Sequence, residues 1–237
     1  MSVQNLRIVT WNCRNGPFDE KSALLDIFKP DIKIIQEIPG PGKKNDEHCI
    51  WFPSRLTDKK GVAIISSDEL TMTCNPPSPD LPEVFVPVKI SGKISFNLLA
   101  VWAQKEMNYI ESFEPILNTY QDFLSASPSV ITGDFNSNAQ ADKKHSKFNH
   151  SKVVKKLEKE FNLISAYHSN RQVIHGQEKE NTFYQNYNEH KPFHIDYCFI
   201  PTIWTVENVR IGSFADWCQT KKSDHVPVVV DVRIVNQ

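Results

Sequence analysis

The strongest constraint on this chain is a repeated pattern in which apolar runs of strand length end on, or begin beside, a carboxylate or an amide. Asn12 follows Arg7-Ile8-Val9-Thr10-Trp11, Glu37 follows Ile34-Ile35-Gln36, and Asp134 and Asn136 follow Val130-Ile131-Thr132-Gly133. Asp196 interrupts His194-Ile195-Asp196-Tyr197-Cys198-Phe199-Ile200, and Asp224 and His225 precede Val226-Pro227-Val228-Val229-Val230. Short β-branched runs bounded by turn residues read as buried strands. Carboxylates beside such runs are costly to bury unless they are paired or metal-bound, so one shared site explains them together. Open α/β sheets place their sites at the carboxyl ends of strands, where most of these residues fall.

The opening reads β-α-β, with a strand from Leu6 to Trp11, a short helix over 21–29 stopped by Pro30, and a strand from Ile32 to Gln36. That spacing favours parallel pairing through a right-handed crossover. Val62 to Ile65 is a further strand, and Val84 to Ile90 with Ile94 to Ala103 reads as an antiparallel pair turning at Ser91-Gly92. Pro76, Pro77, Pro79 and Pro82 make the preceding connection stiff and strand-poor. Residues 109–125 suit a helix, and Ser129 to Thr132 a strand. In the second half Val153, Val154, Leu157 and Phe161 share one face of a helix over 151–161. Strands follow near 194–200, 206–212 and 226–234. The alternation predicts an α/β chain of two mixed sheets packed face to face with helices outside. A single domain over 1–237 accommodates it.

Composition limits the functional classes. The chain carries 27 Lys+Arg against 28 Asp+Glu, a formal net charge of −1, which excludes a protein that holds nucleic acid through a broad basic surface. Five widely spaced cysteines with no CxxC pair argue against a disulfide scaffold or a zinc site and for a reducing compartment. Residues Met1 to Asn5 have neither a charged nor an apolar leader pattern, so the expectation is a cytoplasmic monomer without membrane contact. The sequon at Asn149-His150-Ser151 carries no meaning in that setting.

Glu37, Asp134, Asp196 and Asp224, with the amides of Asn12 and Asn136, form an all-oxygen set that suits Mg²⁺, with Mn²⁺ as a substitute. One histidine beside it is too few nitrogens for a typical zinc centre. A hard cation, an Asp base and a neighbouring His are what in-line hydrolysis of a phosphate ester requires.

Trp11-Asn12, Ile35-Gln36-Glu37, Gly61-Val62-Ala63-Ile64-Ile65, Gly133-Asp134-Phe135-Asn136, His194-Ile195-Asp196-Tyr197 and Ser223-Asp224-His225 resemble, in order, the motifs of the endonuclease/exonuclease/phosphatase superfamily. That superfamily includes exonuclease III, apurinic/apyrimidinic endonucleases, deoxyribonuclease I and inositol polyphosphate 5-phosphatases. The resemblance runs from Leu6 to about Val232. It implies a four-layer α/β/β/α sandwich of the deoxyribonuclease I type and divalent-metal phosphoesterase activity. It makes Asn12, Glu37 and Asp224 metal-site residues, with Glu37 a direct ligand. Asp134 corresponds to the residue that activates or positions water, Asn136 to the amide that holds it, and His225 to the phosphate ligand oriented by Asp196. Arg14 sits where some family nucleases contact the phosphate backbone, and Asn138 joins the substrate-binding set. Where many family nucleases have Tyr or His, this chain has Trp102, which can donate a hydrogen bond but cannot ionise. Lys105 or Gln104 is then the expected source of the missing phosphate contact.

The resulting expectation is a metal-dependent nuclease with nucleic acid as substrate, DNA favoured over RNA. A phosphomonoesterase on a small molecule or lipid head group is the alternative, though the proline-tryptophan-cysteine-aspartate-arginine stretch of the inositol 5-phosphatases is absent. A catalytically silent binding module is the third reading, opposed by the completeness of the metal and base positions. His145, His150, His168, His175 and His190 show no ligand spacing and read as surface or loop residues. Lys143, Lys144, Lys147, Lys152, Lys155 and Lys156 read equally as a nucleic-acid groove or a solvated helix face. Trp51 and Phe52 read as core or as a base-stacking edge.

Overall fold

In the computed structural model, which describes residues 3–57, 59–74, 84–104, 109–147 and 149–235, the apolar runs pair into two six-stranded sheets. The first contains β1 (Val3–Asn12), β2 (Ile32–Ile38), β3 (Cys49–Pro53), β4 (Gly61–Ser66), β13 (Thr205–Ile211) and β14 (Val228–Val235), in the order β13-β14-β1-β2-β4-β3. The second contains β5 (Leu70–Cys74), β6 (Val84–Gly92), β7 (Phe96–Trp102), β8 (Ser129–Asp134), β9 (Leu163–Ser165) and β12 (Asp196–Pro201), in the order β5-β6-β7-β8-β12-β9. A two-stranded ribbon, β10 (Phe183–Tyr184) with β11 (Pro192–Phe193), stands apart. In each sheet one pair is parallel, β1 with β2 and β7 with β8, and the other pairings are antiparallel.

Strand alternation sorts the side chains into layers. Leu6 and Ile8 of β1, Ile32 and Ile34 of β2, and Leu98, Ala100 and Trp102 of β7 enter the core between the sheets. Leu99 and Val101 face outward beneath α2 (Phe113–Thr119), α3 (Gln121–Ser125) and α4 (His150–Phe161). Val9, Trp11 and Ile35 face the other way, against Leu25, Trp217 and α1 (Phe18–Ala23). The architecture is therefore a four-layer α/β/β/α sandwich, as the sequence predicted.

Local details depart from the sequence expectation where tertiary contacts outweigh pattern. The helix expected over 21–29 is α1 followed by a 3₁₀ turn, Asp26–Phe28, closed by Lys29 at φ 50°. The helix expected over 109–125 breaks at Tyr120 into α2 and α3. The edge strands β3 and β5 and the short helix α5 (Ala166–Arg171) have no clear periodicity to announce them. Trp51 packs with the outer core and Phe52 with the inter-sheet core, so both are framework. The proline-rich connection 76–82 lies outside the described residues.

Two backbone irregularities shape one rim of the sandwich. Between Gln36 and Ile38 the pairing of β2 with β4 shifts by one residue, and Glu37 takes φ 57°. Such a bulge re-aims a side chain that strict alternation would send to the outer face with Ile35. At Gly133, φ is 142° and an added Cβ would lie 1.9 Å from the carbonyl oxygen of Val101. Only glycine lets β8 approach β7 this closely immediately before Asp134. Gly133→Ala should therefore lower stability by about 3 kcal/mol through backbone displacement and an unfavourable φ. Urea unfolding of the two proteins checks this, and equal midpoints would contradict it.

Candidate active site

The strand ends converge on one rim of the sandwich. Asn12 ends β1, Asp134 ends β8, Asp196 begins the antiparallel β12, and His225 precedes β14. Asp196 thus opens its strand, although the apolar pattern on both sides of it suggests a strand interrupted. Its register partner is Asp134 itself, so the two carboxylates sit side by side across one antiparallel pair, both fully buried. Like charges directly opposite are unfavourable. Here a cation lies beside them: His225 Nδ1 hydrogen-bonds Asp196 Oδ2 at 2.9 Å.

Each member of this group is held by backbone or by a buried polar group. Thr182 Oγ1 accepts the N–H groups of both Ile195 and Asp196, at 3.0 Å each. The carbonyl of Thr182 accepts Val226 N–H at 2.8 Å, tying the same threonine to the His225 segment. Ser223 Oγ donates to the Asn12 carbonyl and accepts from His225 N–H, while Trp11 Nε1 donates to the His225 carbonyl. Asp134 Oδ2 accepts from Asn12 Nδ2 at 2.9 Å and from Asn136 Nδ2 at 3.0 Å, and its Oδ1 accepts Asn136 N–H. Asn136 also donates to the Ala103 carbonyl and adopts φ 49°, which asparagine tolerates. Phe135, between them, points to the opposite face and stacks on Phe113 at 4.8 Å. It anchors the loop while its neighbours line the cleft.

Electrostatics follow from burial and pairing. Burial and the adjacent Asp196 push the Asp134 carboxyl up to about 7, with His225 and the Asn12 hydrogen bond pulling the other way. Burial alone would lower His225, but Asp196, Asp134 and Asp224 outweigh it and raise the imidazole to about 9. At neutral pH the site thus holds an imidazolium clamped to Asp196, beside a carboxylate poised to exchange a proton.

This group opens onto a cleft of about 540 Å³ whose rim carries Arg14, Lys21, Lys60, Lys221 and Lys222. Glu37, aimed there by the bulge, accepts from Asn12 Nδ2 at 3.1 Å and from Lys60 Nζ at 2.8 Å. Asp224 lies 3.6 Å from Arg14 Nε. The Arg14 guanidinium stacks on the Tyr187 ring at 4.7 Å, and the Lys221 ammonium sits 4.0 Å from the same ring. Five cations beside a few carboxylates make the cleft a receptor for phosphate oxygens.

The donor chemistry fits a hard dication. Glu37, Asp134 and Asp224 offer carboxylates, Asn12 an amide, and the nearby Cys13 thiol is pushed up to about 12 by burial and so offers no thiolate. Mg²⁺ binds through one or two carboxylates, with water and phosphate completing the shell. Glu37 is the carboxylate most open to the cleft, and Lys60 and Arg14 partner the oxygens a metal would share.

The structure brings together Asn12, Arg14, Glu37, Asp134, Asn136, Asp196, Asp224 and His225. It places Trp102 elsewhere: the indole is 6% exposed within the inter-sheet core and does not line the cleft. Its strand alternates strictly, and position 102 falls on the inward face. Asn138 is also buried and caps the 3₁₀ turn Ala139–Ala141, accepting from Ala141 N–H. Lys105 lies outside the described residues, and Gln104 is buried against Ser54 Oγ. The lysines of 143–156 do not line this cleft; Lys152 and Lys156 bond locally on and around α4. Sequence reading misses Lys21, Lys60, Tyr187, Thr182 and the Lys221-Lys222 pair. Only the last is discoverable, since it immediately precedes Ser223-Asp224-His225.

Because the folded value of His225 lies above its ordinary 6.5, the ion pair stabilises the fold below pH 6.5 and that contribution is lost as pH rises through about 9. In Asp196→Asn only Asp134 and Asp224 are left to offset burial, and the imidazole should titrate well below about 9. An NMR titration of the His225 ring reads this directly, and an unchanged value would remove Asp196 as its charge partner.

No family model and no curated protein sequence matches the chain. Solved structures do match in shape. NExo from Neisseria meningitidis, described as a 3'-5' exonuclease, superposes with a TM-score of 0.68 at 20% identity, over 95% of this chain and 98% of that one. A NExo variant from Neisseria, described as a 3' phosphatase bound to a product DNA hairpin, gives a TM-score of 0.68 at 17% identity, over 95% and 98%. An endonuclease/exonuclease/phosphatase family protein from Bacteroides thetaiotaomicron gives 0.64 at 15%, over the whole of both chains. Superposing over 95% or more of both chains, the protein shares the fold of these structures, that of the endonuclease/exonuclease/phosphatase proteins.

Proposed function

We propose that the protein is a divalent-metal-dependent phosphoric ester hydrolase that cleaves phosphodiester bonds of nucleic acid. The observation that carries this reading is the buried Asp134–Asp196–His225 group at the floor of a cleft lined by five cations and Glu37. Asp134, pushed up to about 7, takes a proton from the attacking water, and Asn136 fixes the carboxylate that does so. His225, kept protonated by Asp196, donates from its remaining ring nitrogen to a non-bridging oxygen as negative charge builds at phosphorus. Arg14 and Lys221, held over Tyr187, are presented to flanking phosphates in a fixed direction. Glu37, with Asn12 and Asp224 beside it, would hold a cation of the Mg²⁺ class, whose charge would polarise the phosphoryl oxygens. Neighbours of the same fold described as an exonuclease and as a phosphatase bound to DNA support a phosphate ester on a nucleic acid.

A second reading, a terminal phosphomonoesterase, is favoured by the number of lysines in the cleft. Lys21, Lys60, Lys221 and Lys222 would neutralise a group carrying close to two charges, more than one bridging phosphodiester needs. Both readings share the same chemical machinery and differ in what the cations grip.

Purified protein with Mg²⁺ should hydrolyse at least one member of a panel of labelled DNA, RNA and 3'- or 5'-phosphorylated oligonucleotides, and EDTA should abolish turnover. Asp134→Asn and Glu37→Gln should each lower kcat by about a thousandfold. No metal-dependent hydrolysis of any panel member would refute the enzymatic reading for those substrates, and release of terminal phosphate alone would select the phosphomonoesterase. Replacing Lys221 and Lys222 together by Ala should raise KM by about tenfold while kcat changes less, because these groups bind substrate before and during reaction alike.

A further inference from the structure

The histidines that read as surface or loop residues are largely gathered into one buried cluster. His168 on α5 is 8% exposed, His150 at the start of α4 is 1% and His194 is 3%, and His175 is half-buried on the loop following α5. His168 Nε2 lies 2.9 Å from Glu178 Oε1, and its Nδ1 lies 2.7 Å from Ser165 Oγ. The His175 ring stacks on that of His168, centroids 3.5 Å apart, while its Nδ1 faces His150 Nε2 at 3.2 Å. Glu178 is itself fixed, since both carboxylate oxygens accept Gly176 N–H at 3.0 Å. One ligand atom from each of His168, His175 and Glu178 lies within 4.8 Å of the others.

We propose that His168, His175 and Glu178 form a second metal site, for a dication of the zinc type, separate from the phosphate cleft and fastening the loop 172–182 onto α5. Two imidazoles and one carboxylate are a donor set suited to zinc and unlike the all-oxygen set of the cleft. On a tetrahedral ion such donors sit about 3.4 Å apart, so the His168–Glu178 pair would part slightly while His175 closes on them.

A further buried histidine, His194, lies beside this set and outside it. His194 Nδ1 donates to the Glu180 carbonyl at 2.7 Å, which leaves Nε2 with a lone pair. That nitrogen is buried without a hydrogen-bond partner among the described residues, and the ring centroid is 6.0 Å from that of His168. Entry is open, because His168, His175 and Ser165 line a surface cleft of about 490 Å³ with Ser151, Glu158 and Ser169.

The loop so fastened ends at Thr182, whose hydroxyl holds the backbone of Asp196, so the metal would stiffen the far support of the Asp196–His225 pair.

The test uses Glu37→Gln protein stripped of metal, so that the cleft site is weakened and activity is not the readout. Calorimetric titration should give one Zn²⁺ bound per chain, not displaced by excess Mg²⁺. His175→Gln should weaken that binding by at least tenfold. Zn²⁺ should raise the Tm of the first protein by several degrees and leave that of the second unchanged. Absence of Zn²⁺ binding, or equal affinity in His175→Gln, overturns the proposal. Should His175→Gln not fold, Co²⁺ added to the Glu37→Gln protein decides: intense visible bands of a tetrahedral nitrogen-ligated ion support the site, and the weak spectrum of an oxygen-bound ion overturns it.

Discussion

Two carboxylates buried side by side, Asp134 and Asp196, set the terms for the whole molecule. Their mutual repulsion and their loss of hydration would be prohibitive without the His225 cation bonded to one and the Asn12 and Asn136 amides bonded to the other. The carboxylates and their partners come from four separate segments of both sheets. The sandwich must therefore close fully before the charges are satisfied, and the charges in turn select one way of closing. Thr182, Ser223 and Trp11 serve that closure by fixing the backbone on either side of the pair.

The same geometry explains why the rim is catalytic ground while the strands below it are not. Beneath Asp134 the inward positions 130 and 132 and the neighbouring β7 residues fill the inter-sheet space with apolar or satisfied groups, Trp102 among them. Above it the backbone departs from regular strand geometry at Glu37, Gly133 and Asn136. At Glu37 and Asn136 the departure turns a polar side chain toward the cleft, and at Gly133 it lets β8 approach β7 immediately before Asp134. Local irregularity at the ends of regular strands is how the scaffold presents chemistry without exposing its core.

How much of this is legible in the sequence depends on whether a signal is local. Strand β1 and the loop after β8 announce themselves, because Leu6 to Asn12 and Gly133 to Asn136 carry both pattern and chemistry within a few residues. The edge strands β3 and β5 do not, since a short strand exposed on one side leaves little periodicity. Trp102 resembles a substitute for a phosphate ligand because it ends the right strand, but the parity of β7 places it in the core. Lys21 and Lys60 reach the cleft only because α1 and the turn before β4 fold back over the rim, and nothing beside them in the chain marks them. The histidines read as scattered because their contacts span separations of up to 25 residues along the chain.

The sequence by itself determined the layered α/β architecture and the identity of the six motif segments, since hydrophobic period and strand-end carboxylates are written residue by residue. It also set a net charge of −1, which says nothing of where charge collects. Only the tertiary structure decided that five cations share one cleft, that Asp134 and Asp196 are register partners, and that His168, His175 and Glu178 meet under a loop. The reason is physical: apolar burial depends on pattern and averages over many residues. A site depends on a few long-range distances that are set only when the two sheets have packed.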